Sequence, residues 1–234
     1  MTDLFKKPIP VLMYHQLNQP DPSTSLVVSP ESFSRQIDWL EKKGFRFLSL
    51  DEVVDLRGKI PFTERAVALT FDDGFRDNYE KGFSLLIRHG KAAALFVVVN
   101  WVGQNGFLNW REIRELAQSG MTIGSHSLTH RWLPDIKNEN EMEAEICDSK
   151  KRIEDEIGKE VCYFCYPVGG VDARIAEQVR RAGYRAAWVA GGRPSTVIRE
   201  PSLCFRRIKI TPSDSNLTRF LLKAYGVKGL FQKD

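Results

Sequence analysis

Two short stretches of this chain hold the residue types best suited to catalysis. In the first, the apolar run Ala66-Val67-Ala68-Leu69-Thr70-Phe71 passes straight into Asp72-Asp73-Gly74, so a buried strand ends on two adjacent carboxylates and a residue able to turn sharply. Neighbours on extended backbone face opposite ways, which lets one acid bind a metal while the other takes a proton. In the second, Met121-Thr122-Ile123-Gly124-Ser125 leads into His126 and His130. On a strand these two histidines would stand ~13 Å apart, too far for bonds of ~2 Å to one ion. A helical turn would bring them to ~5–6 Å at Cβ, so the expectation is a turn of helix there and a shared divalent metal.

Such residues need a scaffold that brings strand ends together. Strands are expected at residues 10–15, 45–49, 66–71, 92–99, 121–125, 161–166, 184–189 and 205–210. Helical patterns lie between them, at residues 30–43, 78–88, 110–118, 139–157 and 171–181, most of them stopped by a glycine that leads into the next strand. The alternation implies an α/β fold, and seven or eight units favour a parallel (β/α) barrel over an open sheet. Folds of this kind place their chemistry at the C-terminal ends of the strands, where the loop at residues 16–29 is also expected. No Gly-rich phosphate loop follows the first strand, and no linker divides the 234 residues, which read as one domain.

Composition removes several function classes. Thirty-four basic and thirty acidic residues are scattered and leave only +4, so nucleic acid is not an expected partner. No run approaches the ~18 apolar residues of a transmembrane segment. Met1 to Pro8 lack a long apolar core, so no secretory signal is expected and the chain reads as cytoplasmic. Cys162 and Cys165 sit on a predicted strand, pointing to opposite faces, and read as ordinary thiols. The dense charge mixture of residues 139–157 reads as a solvated helix face without a function. Residues 217–225 alternate apolar and basic residues at helical spacing; the barrel is the expected partner for that face, with an anionic membrane surface as the alternative.

The run Thr70 to Gly74, the run Ser125 to His130 and the lead-in from Leu108-Asn109-Trp110 to Gly120 resemble the first two motifs of the NodB-type polysaccharide deacetylases, carbohydrate esterase family 4. The resemblance spans residues 10–210 and implies a distorted parallel (β/α) barrel of about seven units. It also implies Asp72 as catalytic base and Asp73, His126 and His130 as ligands of one divalent metal, zinc first, with cobalt, nickel or manganese also suited. Phe164-Cys165-Tyr166-Pro167-Val168-Gly169 resembles the third motif, in which the backbone N–H of Val168 would serve the oxyanion. Two departures stand out. Cys165 occupies the place of the family's arginine, and Arg207-Ile208-Lys209-Ile210 stands where a Leu-x-His would supply an acid. However, Val11-Leu12-Met13-Tyr14-His15 resembles the poly-N-acetylglucosamine deacetylase branch, whose N-terminal Tyr-His element supplies that acid, so the role falls to His15.

Sugar rings are gripped by flat apolar surfaces, and Tyr14, Phe75, Trp132 and Tyr166 lie closest to these motifs as substrate walls. The implied activity is metal-dependent removal of N-acetyl groups from an amino-sugar-containing glycan or glycan precursor. A non-catalytic glycan binder of the same fold, a deformylase of a lipid-linked amino sugar and an iron(II) oxygenase are the alternatives; the β/α alternation argues against the oxygenase.

Overall fold

The computed structural model describes residues 6–19, 21, 23–190 and 201–226. Residues 1–5, most of the stretch read as lacking a leader, lie outside that range.

Eight short strands run round the central nine-stranded sheet: β1 Val11–Tyr14, β2 Ala66–Phe71, β3 Ala94–Val97, β4 Thr122–Ser125, β5 Tyr163–Cys165, β6 Ala186–Val189, β7 Phe205–Arg206 and β8 Ile208–Lys209; the ninth, Arg46–Phe47, pairs beside the start of β2. Their order is β7-β6-β5-β4-β3-β2-β1-β8, parallel throughout. The two ends of that order, β7 and β8, are separated in the chain by Arg207 alone. Phe205 pairs with Trp188 on one side, while Ile208 pairs with Leu12 and Lys209 with Met13 on the other. One broken strand thus closes the sheet into a parallel barrel with seven strand positions.

Pleating sends alternate side chains to two separate cores. Leu12, Tyr14, Leu69, Phe71, Phe164 and Tyr166 face outward and pack with helix residues such as Phe33, Ile37 and Val179. Val11, Ala68, Phe96, Tyr163, Cys165 and Trp188 fill the barrel. The inward phase of β1 leads on to His15, and that of β2 leads on to Asp72. A Cβ at Gly124 would lie 2.6 Å from the Phe96 ring and 3.0 Å from the Tyr163 carbonyl, so β4 needs glycine where Phe96 crosses the barrel.

The helices begin where the sequence signals them. Pro30–Lys42 starts on Ser29, whose side chain accepts the Ser32 N–H, and buries Phe33, Ile37 and Leu40. Trp110–Gln118 opens on a reciprocal Asn109–Glu112 cap. Two expected helices contain a wide turn whose backbone bonds span one extra residue: Asn78–Phe83 opens the first, and Ala144–Asp148 interrupts the second. Leu217–Ala224 buries Phe220 and Ala224, with Phe220 edge-on to Trp39 at 6.4 Å. That packing is the one expected of the helix against the barrel, while Leu222 stays exposed. No helix among the described residues is long and apolar enough to cross a membrane.

Candidate active site

Asp72 continues the β2 ladder by donating its N–H to the Tyr14 carbonyl, and its carboxylate enters the barrel at 1% exposure. Arg207, equally buried, meets it with a two-pronged fork, 2.6 Å to Oδ1 and 2.7 Å to Oδ2. The same guanidinium donates to Thr70 Oγ1 at 3.1 Å and to Cys165 Sγ at 2.8 Å, and it lies over the Phe96 ring at 5.4 Å. Burial alone would raise the Asp72 carboxyl. The Arg207 charge and fork, aided by His126, instead hold it well below the usual carboxylate range. Asp72 therefore stays ionised at any working pH.

Asp73 turns the other way through a left-handed backbone, φ 73°. Its Oδ1 lies 3.5 Å from His126 Nε2 and 3.4 Å from His130 Nε2. No helical turn brings the histidines together. The chain after β4 instead folds irregularly, with Ser127 and His130 at φ 68° and 63°, and the two rings meet edge to face at 4.8 Å. Ser127 Oγ accepts the His130 N–H at 3.0 Å, and His126 Nδ1 lies 2.7 Å from the Cys165 carbonyl, which fixes the ring and leaves Nε2 facing Asp73. Glu145, in the second wide turn, is buried and accepts the N–H groups of Leu128 and Thr129 at 3.0 and 2.9 Å together with the Thr129 hydroxyl.

These residues fit a divalent cation. Asp73, His126 and His130 offer one oxygen and two nitrogens within 4.8 Å of one another, a set suited to zinc and its neighbours. Asp73 Oδ1 is buried without a hydrogen-bond partner, an orphan acceptor that a cation would satisfy. Burial, reinforced by the Asp72 charge, pushes the Asp73 carboxyl up to about 7. Burial lowers His126 to about 3 and also lowers His130, so both imidazoles stand neutral and ready to ligate. Asp72, His126 and Cys165 are equally close together, but the Arg207 fork already occupies Asp72.

His15 lies within the same field of charges. Its backbone carbonyl accepts Asn78 Nδ2 at 2.6 Å, and its buried Nδ1 has no partner. Burial lowers the imidazole to about 4 against the opposing pull of Asp72. Val168 follows β5 at the rim, 66% exposed and at φ 55°. Trp132, 43% exposed, presses on Gly170 of the same turn, where a Cβ would meet its ring at 2.6 Å. Phe75 is half-buried and stacks on Phe107 at 5.0 Å; Phe107 meets Trp101 at 5.1 Å, and Trp101 stacks on His130 at 5.0 Å.

Tyr14 and Tyr166 do not line the site. Both are fully buried on the outward phase of their strands; Tyr14 stacks on Phe71 and donates its hydroxyl to Gln36, while Tyr166 packs against Phe164. A shift of one residue along a strand exchanges the two faces, and it is their neighbours His15 and Cys165 that point inward.

Residues 59–187 match the family model described as polysaccharide deacetylase. The chain belongs to that family. It is 27% identical over 210 residues to the Bacillus subtilis protein YxkH, covering 88% of this chain and 73% of that one. It is 26% identical over 128 residues to the poly-beta-1,6-N-acetyl-D-glucosamine N-deacetylase of Staphylococcus epidermidis, 47% of this chain and 44% of that enzyme. Among solved structures, the Streptococcus pyogenes deacetylase PplD, in complex with acetate, superposes with a TM-score of 0.79 at 26% identity, covering 91% of this chain and 98% of that one. The chain thus spans nearly all of the streptococcal structure and under half of the staphylococcal enzyme.

The site adds two side chains to which the sequence reading gives no part in it, Arg207 and Glu145. Arg207 stands where the family resemblance implies a histidine, and the signal for it is an arginine on a buried strand, which demands an anion. Asp72 has an arginine partner although Cys165 stands in the expected place, because Arg207 enters from the break between β7 and β8 and reaches both Asp72 and the Cys165 thiol. Glu145 belongs to a charged stretch whose composition reads as solvated, and only the wide turn that buries it distinguishes it from its neighbours.

Proposed function

We propose that this chain is a metal-dependent hydrolase that removes N-acetyl groups from an amino-sugar-containing glycan or glycan precursor. The observation that carries the reading is the Asp73–His126–His130 donor set, two of its members buried, beside an acid, Asp72, that its arginine partner keeps ionised. A divalent ion held by Asp73, His126 and His130, with zinc the first choice, supplies Lewis acidity to water and to the amide carbonyl.

Asp72 accepts the proton of the attacking water. Its low proton affinity makes it a weak base, and it is always in the accepting form. The Arg207 fork fixes both carboxylate oxygens, so the base does not have to find its orientation during the reaction. The Val168 N–H, at the rim, is the donor proposed for the oxygen on which negative charge builds. His15 rests neutral in its buried place; as negative charge builds on the substrate, the proton that Asp72 took from the water passes to His15, which gives it to the departing amine as the C–N bond breaks. Phe75 and Trp132, the half-open aromatics, are the proposed walls for sugar rings.

The test is acetate release from N-acetylglucosamine oligomers. Turnover that stops on chelation and returns with added metal supports the reading. Stoichiometric metal binding with no acetate released from any oligomer overturns it.

A further inference from the structure

Beside the site, on its His15 flank, lies an open trough of about 670 Å³ lined by Asp21, Thr24, Ser25, Thr211, Ser213 and Arg219. It is tied to the site by short connections. The Gln16 N–H bonds the Leu26 carbonyl at 3.2 Å, the Ile210 N–H bonds the Met13 carbonyl at 2.9 Å, and Lys209 Nζ donates to Ser25 Oγ at 2.9 Å. The Lys209 charge is also among those that act on His15.

The hydrogen-bond inventory of the trough is unbalanced. Ser25 accepts from Lys209 and Thr24 accepts from the Leu26 N–H at 3.1 Å, so each keeps its hydroxyl hydrogen to give. Thr211 has spent its hydrogen on Asp214 and therefore takes that of Ser213. Asp21 is the single carboxylate among the described lining residues, and its Oδ1 already accepts the Ser23 N–H and hydroxyl at 2.8 and 2.7 Å. Arg219 is the cation of the lining, and Lys209 reaches its edge through Ser25. Neither Lys209 nor Arg219 has an ion-pair partner among the described residues. Free O–H and N–H donors with an excess of positive charge call for a ligand rich in acceptors and negatively charged.

We propose that this trough is a subsite for a glycan unit bearing a phosphate or a carboxylate, next to the N-acetylated sugar. The proposal rests on the deacetylase reading for its substrate, and its test separates the two. Values of kcat/KM are compared for neutral N-acetylglucosamine oligomers and for the same oligomers carrying a uronate or a phosphomonoester on a flanking unit, with the wild type and Arg219→Ala. The wild type should prefer one of the anionic series by about tenfold through KM, the preference fading as salt rises and collapsing in the variant. The two anionic series show which anion fits. An equal ratio in both proteins, or a preference for neutral oligomers, overturns the subsite while leaving deacetylation intact. If no oligomer releases acetate, amide shifts on titration with glucuronate and with inorganic phosphate decide the subsite alone. Saturable shifts at Ser25 and Thr211 that Arg219→Ala abolishes support it, and their absence overturns it.

Discussion

Arg207 and Asp72 hold opposite charges with side-chain exposures of 0% and 2%, an arrangement in which removing one partner strands the other. Arg207→Ala is expected to lose about 3–5 kcal/mol of stability in denaturant unfolding. Arg207→Lys keeps the charge but not the fork, so it should regain most of that stability while kcat stays lower by about 10-fold or more, because the base is no longer aligned. Asp73 gives a prediction of pH dependence. With its carboxyl near 7 it is protonated at lower pH, and a cation must displace that proton. Metal affinity should therefore fall by up to about tenfold per unit as pH drops below 7, and level off above it. Calorimetry in two buffers of different ionisation enthalpy should show one proton released near pH 6 and almost none near pH 8. His126, at about 3, is already neutral across this range and adds nothing to the release.

At the scale of elements, the two wide turns have parallel uses. Asn78 opens one and holds the His15 carbonyl; Glu145 lies in the other and holds the turn between His126 and His130. Glu145→Gln loses the charge and replaces one acceptor with a donor, so metal affinity should weaken by about 10-fold. The variant's fold should stay intact by circular dichroism; unchanged metal affinity would mean that the turn holds its shape without Glu145. The helix starts were legible because their signals are local: Ser29-Pro30 and Asn109 with Glu112 are read within four residues. The two sets of site residues at the ends of β2 and β4 were legible for the same reason. Strand phase was not applied to the aromatics, and so Tyr14 and Tyr166 were placed on the wrong face. The His126–His130 turn depends on left-handed backbone at non-glycine residues, which residue type does not announce. Arg207 meets an acid 135 positions away, a pairing that only barrel closure creates.

For the whole molecule, closing the barrel and clamping Asp72 are one event. The strand that completes the ring breaks at the residue whose side chain clamps Asp72, so the carboxylate is held in place only when β7 and β8 are both paired. Barrel packing should be unforgiving near that point. Gly124→Ala places a methyl against the Phe96 ring, which also supports Arg207, and should destabilise the protein by about 1–3 kcal/mol in denaturant titration. The central claim is that Asp72 is the base and Asp73, not Asp72, is a metal ligand. The most direct test measures metal stoichiometry and kcat together in Asp72→Asn. The account predicts one metal ion still bound per chain and kcat lower by at least about 10²; loss of the metal, or retention of full activity, would contradict it.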